Sequence, residues 1–277
     1  MVDDRPSGTA VAVAFARAAV TRDRGAPGEG LDPFARDLLP SVARAVLDVL
    51  PVRVARALSF GVVDHCELRS LAIDAVVVDA LERDVPQFVI LGAGLDARAL
   101  RLAAASRATV FEVDHPATQR YKRAHVPPGV HTAHFVAVDF ERDSLDGRLA
   151  EAGHDGSKPT VWLWEGPTMY LAPEATRATI EVVARRSAPR SVLAVTYLTA
   201  DMVNVANVLR PVVARAFAVI GEPLRGAVER AAFAETLASV GFRVVDDTGM
   251  DEWIARFHPI RPSRIRLAER LVTAHRE

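Results

Sequence analysis

The stretch of sequence that decides the fold is Val85-Pro-Gln-Phe-Val-Ile-Leu-Gly-Ala-Gly-Leu-Asp96. Residues 88–91 form a short apolar run with β-branched members, which is typical of a strand buried on both faces of a parallel sheet. Gly92 and Gly94 follow directly, and two glycines at this point permit a tight turn and a close approach of backbone to a ligand. Asp96 then stands at the N-cap of a predicted helix. This order of strand, turn and helix indicates a site for a nucleoside-containing cofactor.

The turn is not built around a pyrophosphate. Dinucleotide-binding turns carry a third glycine where this chain has Ala97, and no lysine follows as in a P-loop. A second predicted strand, residues 108–114, ends in Glu112 and Asp114, which lie eighteen and twenty residues after Gly94. At that distance an acidic side chain can hold both hydroxyls of a ribose. The combination suits a nucleoside without phosphates, such as S-adenosylmethionine.

Four motifs, in this order, resemble those of the leucine carboxyl methyltransferase family: Leu91-Gly-Ala-Gly-Leu-Asp-Ala-Arg-Ala-Leu-Arg-Leu102, Phe111-Glu-Val-Asp-His-Pro116, Val138-Asp-Phe140 and Trp164-Glu-Gly-Pro-Thr-Met-Tyr-Leu171. The chain is most similar to the bacterial branch that contains polyketide O-methyltransferases, from about Gly8 to the C-terminus. The resemblance implies an α/β, Rossmann-like class I methyltransferase fold. Such a fold has a seven-stranded, mostly parallel sheet with helices on both faces, an N-terminal helical cap and a helical insertion after the fifth strand.

The resemblance also implies a set of S-adenosylmethionine contacts. At the matching positions they fall on Arg69, Gly92, Ala93, Gly94, Glu112, Asp114, Asp139, Phe140 and Glu165. Arg69 would grip the carboxylate of the methionyl end bidentately, and Glu165 would lie near the amino group and the reaction centre. Asp139 would accept from the exocyclic amine of the adenine, and Phe140 would pack on its ring.

Simpler interpretations stay open for several of these residues. Arg69 could be a solvated helix arginine, and Asp139 could cap a helix that starts at Asp143-Ser144. Tyr170 could line the pocket or pack on the sheet.

The sequence assigns no catalytic residue, and Glu165, Tyr170 and His65 are the candidates. A carboxylate acceptor needs no base at neutral pH, whereas a phenol or alcohol usually needs one. His115 and His258 are further histidines to consider, although capping or surface roles are commoner for such residues.

The chain divides into an N-terminal helical cap, residues 1–84, and a Rossmann-like catalytic domain, residues 85–277, with a substrate-pocket insertion at 199–226. Helices are predicted over 9–20, from Asp32-Pro33 onward, and over 41–50, 52–58, 64–81, 97–102 and 231–240, the last closed by Gly241. Further strands are predicted over 131–138, 160–164, 191–198 and 242–246, with 271–274 antiparallel at the sheet edge. The low polarity of residues 199–220 favours a hydrophobic acceptor, although an outer packing helix would have the same composition.

Composition limits the class of protein. The chain has 277 residues, 50% of them hydrophobic, which is enough for one large core. The net charge of −1, with Lys122 and Lys158 the only lysines, predicts no nucleic-acid partner. Cys66 is the only cysteine, so no intrachain disulfide is expected, and no metal site is predicted. No signal-like segment and no apolar run long enough to span a bilayer is present, so we expect a cytoplasmic protein that does not enter the membrane.

The leading hypothesis is an S-adenosylmethionine-dependent O-methyltransferase that acts on a carboxylate or hydroxyl of a small, hydrophobic or polyketide-like metabolite. One alternative is an S-adenosylmethionine-binding protein without transferase activity, which would serve as a sensor or assist another reaction. An NAD-dependent reductase is disfavoured by the missing third glycine. The expected partner is a small-molecule acceptor, and a homodimer stays open.

Overall fold

The structure, a computed structural model, describes residues 6–22, 31–59, 61–127, 129, 133–139, 142–166, 168, 170–200, 227–257 and 267–277. Most of the predicted insertion, together with Phe140 and His258, lies outside the described residues.

The described residues form one eight-stranded sheet. Its strands are β1 (Gln87–Leu91), β2 (Thr109–Asp114), β3 (His134–Ala137), β4 (Thr160–Trp164), β5 (Val192–Thr199), β6 (Ala227–Val228), β7 (Phe242–Gly249) and β8 (Glu269–Arg276). The order across the sheet is β3-β2-β1-β4-β5-β8-β7, and the short β6 pairs with β5. Strands β1 to β5 are parallel, as their apolar runs predict. The mostly parallel, Rossmann-like sheet is therefore confirmed.

The last strand does not lie at the sheet edge as predicted. Strand β8 runs antiparallel between β5 and β7, so that β7 forms the edge. The physical reason lies in its side chains, because both faces of β8 are apolar: Leu271 packs on one side of the sheet and Val272 and Ala274 on the other. All three are at most 2% exposed, a pattern that suits an interior strand.

The helices are α1 (Gly8–Arg22), α2 (Ser41–Val49), α3 (Val52–Leu58), α4 (Val62–Glu82), α5 (Arg98–Arg101), α6 (Pro116–His125), α7 (Leu145–Glu151), α8 (Pro173–Arg185), α9 (Arg230–Ser239) and α10 (Met250–Phe257). A 3-10 helix, Ala103–Arg107, follows α5. Within the part of the chain that the structure describes, no helix is long and apolar enough to cross a membrane. Gly241 follows α9 with a φ of 85°, the left-handed conformation that favours glycine after a helix.

Two predicted helices differ in the structure. The segment after Asp32 forms turns over residues 33–38 instead of a helix, because the Asp32 side chain accepts from the amide of Phe34 and so favours a local turn. Helix α5 begins at Arg98 rather than 97, with Ala97 at the N-cap position. Asp96 still serves the helix start, since its Oδ1 accepts from the amide of Arg98 at 2.6 Å.

The sheet packs on both faces. Helix α4 covers one face, where Ile73, Val77 and Leu81 join one apolar cluster with Phe88 and Ile90 of β1. Helices α7, α8 and α9 contribute to the cluster on the opposite face. The division of the chain at residue 84 stays a prediction, and α4 itself is a layer of the sheet's core.

His154 should make stability depend on pH. Its ring is 4% exposed beside Trp162, and burial lowers the pKa of His154 from 6.5 to about 4. Between these values the unfolded chain binds a proton that the folded chain does not, so stability is lost as pH falls from about 6.5 toward 4. We expect thermal melts to show a steeper loss over this window for the wild type than for His154→Gln. Parallel profiles would contradict this expectation.

Candidate functional site

The predicted cofactor residues meet at the carboxyl ends of the central strands. Leu91 of β1 pairs with Val113 of β2 and Trp164 of β4. The next residue on each strand is therefore Gly92, Asp114 or Glu165, side by side at one edge. Open α/β sheets bind their ligands at this edge.

The glycine turn has the conformation that its sequence requires. Gly92 and Gly94 have φ values of 65° and 50°, which side chains rarely allow. The close approach predicted for a ligand is made at Gly94 by another part of the chain: a Cβ added there would lie 3.1 Å from the Cβ of Ala10 in α1. Helix α1 thus rests on the turn, and the glycine is needed for that contact.

Asp114 holds the turn from the end of β2. Its Oδ2 accepts from the amide of Gly94 at 2.7 Å, and its Oδ1 accepts from the amide of His115 at 2.7 Å. Burial raises the pKa of Asp114, although these two amides oppose the effect. Asp114 is half-buried, so a carboxylate stands at the ligand edge of the sheet.

Glu112 has a different environment from Asp114. It is fully buried, and its Oε2 lies 2.6 Å from Nζ of Lys122 in α6. The same ammonium donates to the carbonyl of Asp96 just after the glycine turn. Glu112 therefore belongs to a buried ion pair with Lys122, whose ammonium also binds the backbone just after the glycine turn. Asp114, in contrast, lies at the carboxyl end of the sheet.

Three arginines surround Glu165. Arg17 of α1 donates through Nη2 to both carboxylate oxygens at 2.8 Å. Arg69 of α4 donates through Nε to Oε1 at 3.0 Å, and Arg98 of α5 donates through Nη1 to Oε2 at 2.6 Å. We call these four residues the arginine cluster. All of them are at least nine-tenths buried in their side chains, so the cluster is shielded from water.

Further ion pairs balance the arginine cluster. Arg98 also binds Asp74 and Asp96, Arg101 binds Asp74 in a bidentate fork, and Arg69 binds Glu269. The set links four arginines, at positions 17, 69, 98 and 101, with five carboxylates, at positions 32, 74, 96, 165 and 269, since Asp32 lies 3.9 Å from Arg101. Opposite charges thus lie beside each other in a region of low dielectric, where an unpaired charge would be costly.

The charge of Glu165 is firmly fixed. Burial alone would raise its pKa, but Arg17, Arg98 and Arg69 outweigh burial and hold the pKa of Glu165 well below its usual range. A carboxylate in this state is a poor proton acceptor and a good partner for a cation. Arg98 keeps one buried donor, Nη2, without a partner among the described residues.

Arg69 and Asp139 have different surroundings. Arg69 is 6% exposed, so the interpretation as a solvated helix arginine is wrong. Ser144 is the N-cap of α7 and accepts from the amide of Gly147, and the carbonyl of Asp139 accepts from the amide of Asp143 at 2.7 Å just before that helix. Asp139 follows β3 at the same edge as Asp114, whose carbonyl accepts from the amide of Val138 at 2.9 Å.

The remaining candidates occupy different surroundings. Tyr170 is half-buried in the turns after β4. His65 is 2% exposed, and its Nε2 lies 2.6 Å from Oε2 of Glu269. His115 caps α6, where its Nδ1 accepts from the amide of Ala117.

Arg17, Arg98 and Glu269 lie at the site but were not predicted from the sequence. Arg17 follows Ala10 and Ala14 at helical spacing, and this alanine face packs on the glycine turn and the cap. An arginine on the apolar face of a helix signals a buried partner, so Arg17 could have been found. Glu269 gives no local signal.

A parallel sheet in this order, with a glycine turn and acids at its carboxyl ends, is the Rossmann-like fold of class I methyltransferases. A family model described as leucine carboxyl methyltransferase matches residues 10–184, which is more than half of the chain. The chain belongs to the leucine carboxyl methyltransferase family.

Relatives agree with this membership, and a solved structure agrees with the fold. A candidate S-adenosyl-L-methionine-dependent methyltransferase of Mycobacteroides abscessus is 37% identical over 203 residues, which cover 68% of this chain and 63% of that protein. One of Mycolicibacterium smegmatis is 35% identical over 207 residues, covering 69% and 67%. The chain thus spans about two thirds of the length of these relatives. A DUF574 family protein from Streptomyces avermitilis has the same fold, with a TM-score of 0.67, 16% identity and full coverage of both chains.

Proposed function

We propose that this protein is an S-adenosylmethionine-dependent O-methyltransferase. The observation that carries the proposal is the position of the arginine cluster and Asp114 at one sheet edge, on either side of the glycine turn. The cluster offers guanidinium donors and an ionised carboxylate, which complement the carboxylate and the ammonium of an amino acid. Asp114 offers acceptor oxygens for ribose hydroxyls. The two together match the two ends of S-adenosylmethionine, which supplies a methyl group on a sulfonium.

Each residue has a distinct task in this proposal. Arg69 binds the methionyl carboxylate, and Glu165 accepts from the ammonium. Asp114 accepts from the ribose, while Asp139 and Phe140 contact the adenine, in keeping with the family resemblance. Such contacts fix the methyl group relative to the acceptor, and alignment is the main requirement of an in-line displacement whose leaving group is a neutral thioether.

We infer that the acceptor is a carboxylic acid. Glu165 is a poor base because of its three arginines, and His65 is already bonded to Glu269. A carboxylic acid reaches the site as an anion and needs no proton removed. The low polarity of residues 199–220 supports a hydrophobic, polyketide-like metabolite, for which those residues and the N-terminal cap would form the pocket.

The product of a labelling experiment tests the reaction class. The protein is incubated with methyl-labelled S-adenosylmethionine and matched lipophilic acids and phenols, and extracted products are then treated with alkali. Methyl esters release labelled methanol, whereas methyl ethers keep the label. We expect alkali-labile label, with its yield much reduced in Asp114→Ala. Tight cofactor binding with no labelled product from any acceptor would favour the alternative of a binding protein.

The pH dependence of a single turnover separates the two acceptors further. For a carboxylate, the chemical step is expected to change little from about pH 6 to 9, since the acceptor is already ionised. For a phenol, the rate would rise about tenfold per pH unit toward the pKa of the phenol or its base. Such a rise, abolished by a single histidine substitution, would overturn the carboxylate assignment.

A further inference from the structure

Glu269 connects the last strand of the sheet to the arginine cluster. It is 4% exposed at the start of β8, and its Oε2 accepts from Nη1 of Arg69 at 2.5 Å. The same oxygen lies 2.6 Å from Nε2 of His65. His65 and Arg69 are four residues apart on α4, so both project from one side of the helix toward β8.

We propose that Glu269 is a positioning residue, which holds Arg69 in the orientation that binds the carboxylate of an amino-acid ligand. This inference rests on the proposed function. In the structure Arg69 is held from two sides, by Glu165 and by Glu269. A ligand carboxylate that binds Arg69 competes with Glu165, whose charge then turns to the ligand ammonium. Glu269 approaches a different nitrogen, so it remains bonded to Arg69 throughout.

His65 fixes Glu269 in turn. Its ring lies 5.6 Å from that of Trp253 in α10, which is buried in the apolar cluster that also contains residues of α4. Burial alone would raise the pKa of Glu269, but Arg69 and His65 outweigh it and lower the pKa to about 2. Glu269 therefore stays ionised at any pH where the protein would act, and a constant anion behind Arg69 fixes the direction of its fork.

The test compares two ligands in Glu269→Gln by calorimetric titration. S-adenosylhomocysteine carries the amino-acid end, and 5′-methylthioadenosine has the same nucleoside and sulfur without it. We expect the variant to bind S-adenosylhomocysteine at least about tenfold more weakly, the loss of one charged hydrogen bond, and to bind 5′-methylthioadenosine as the wild type does. A purely structural role would weaken both ligands equally.

Glu67→Gln is the matched control. Glu67 is a buried glutamate on α4 that pairs with Arg56 at 2.7 Å. The Glu67→Gln variant should be less stable than the wild type, but it should show no selective loss of affinity for S-adenosylhomocysteine. If Glu269→Gln does not fold, His65→Leu takes its place. That variant removes the contact between His65 and Glu269 but keeps the charge of Glu269 beside Arg69. It should lose less affinity for S-adenosylhomocysteine, again without a loss for 5′-methylthioadenosine.

The outcomes are distinct. Wild-type affinity of Glu269→Gln for S-adenosylhomocysteine, or an equal loss for both ligands, would overturn the positioning role. If His65→Leu is used in its place, the absence of a selective loss would overturn that role as well. Failure of the wild type itself to bind S-adenosylhomocysteine would instead overturn the proposed function.

Discussion

Glu112→Ala is expected to lower the free energy of unfolding by about 3–5 kcal/mol, because it leaves a buried charge without its partner. Lys122 and Glu112 lie 2.6 Å apart, and both side chains are 1% exposed. Cofactor affinity should change only a few fold, since Glu112 does not lie at the ligand edge. The double variant Glu112→Ala/Lys122→Met should recover much of the lost stability, because it removes both charges together.

Asp114→Ala is expected to show the opposite pattern, with a large loss of cofactor affinity and a smaller loss of stability. A carboxylate that accepts from ribose hydroxyls contributes about 1.5–3 kcal/mol for each charged hydrogen bond. Its loss should weaken S-adenosylmethionine binding about ten- to a hundredfold. Stability should fall less than in Glu112→Ala, since Asp114 is half-buried and its backbone partners gain access to water.

Urea denaturation and calorimetric titration of the two variants separate these roles. A large loss of affinity in Glu112→Ala, with wild-type affinity in Asp114→Ala, would transfer the ribose contact to Glu112. Wild-type affinity in both variants would show that neither carboxylate of β2 binds the ribose.

Most of the sheet could be predicted from sequence because its signals are local. The apolar runs of β1, β2, β4 and β5 mark buried parallel strands, and Thr160–Trp164 is predicted with its observed bounds. The position of β8 could not be predicted, since its neighbours in the sheet depend on packing between distant segments. The turns after Asp32 were missed because a proline in a first helical position also suits a turn.

The site was predictable where its residues sit next to a strand end. Asp114 ends its strand, and Gly92 and Glu165 directly follow theirs, so topology alone brings the three together. The arginine cluster depends on long-range contacts: Arg17 and Glu165 are 148 residues apart, and Arg69 and Glu269 are 200 apart. No local pattern encodes such pairs. The ribose contact was left open between Glu112 and Asp114 because the sequence does not reveal that Lys122 pairs with Glu112.

The arginine cluster couples the N-terminal cap to the ligand edge. Arg17 connects α1 to Glu165, and Ala10 of the same helix rests on Gly94. Displacement of Glu165 by a ligand carboxylate would therefore change the contact that Arg17 of α1 makes. The helix that shields the site is thus part of the site.

Arg69→Lys is expected to weaken S-adenosylhomocysteine binding about ten- to a hundredfold while the fold stays intact. The guanidinium of Arg69 reaches Glu165 through Nε and Nη2 and Glu269 through Nη1. A lysine ammonium is a point charge and cannot present a planar fork to a ligand carboxylate while it keeps Glu269. Calorimetric titration gives the affinity, and circular dichroism verifies the fold.

Arg56→Lys is the matched control, because Arg56 also bridges two carboxylates, Asp64 and Glu67, without contact to the arginine cluster. Both variants should lose some thermal stability, since each loses a bridged ion pair. Only Arg69→Lys should lose affinity for S-adenosylhomocysteine, and its affinity for 5′-methylthioadenosine should stay unchanged because that ligand has no carboxylate. Equal affinities in both variants, with stability alone reduced, would make Arg69 a structural residue and move the carboxylate site to another arginine.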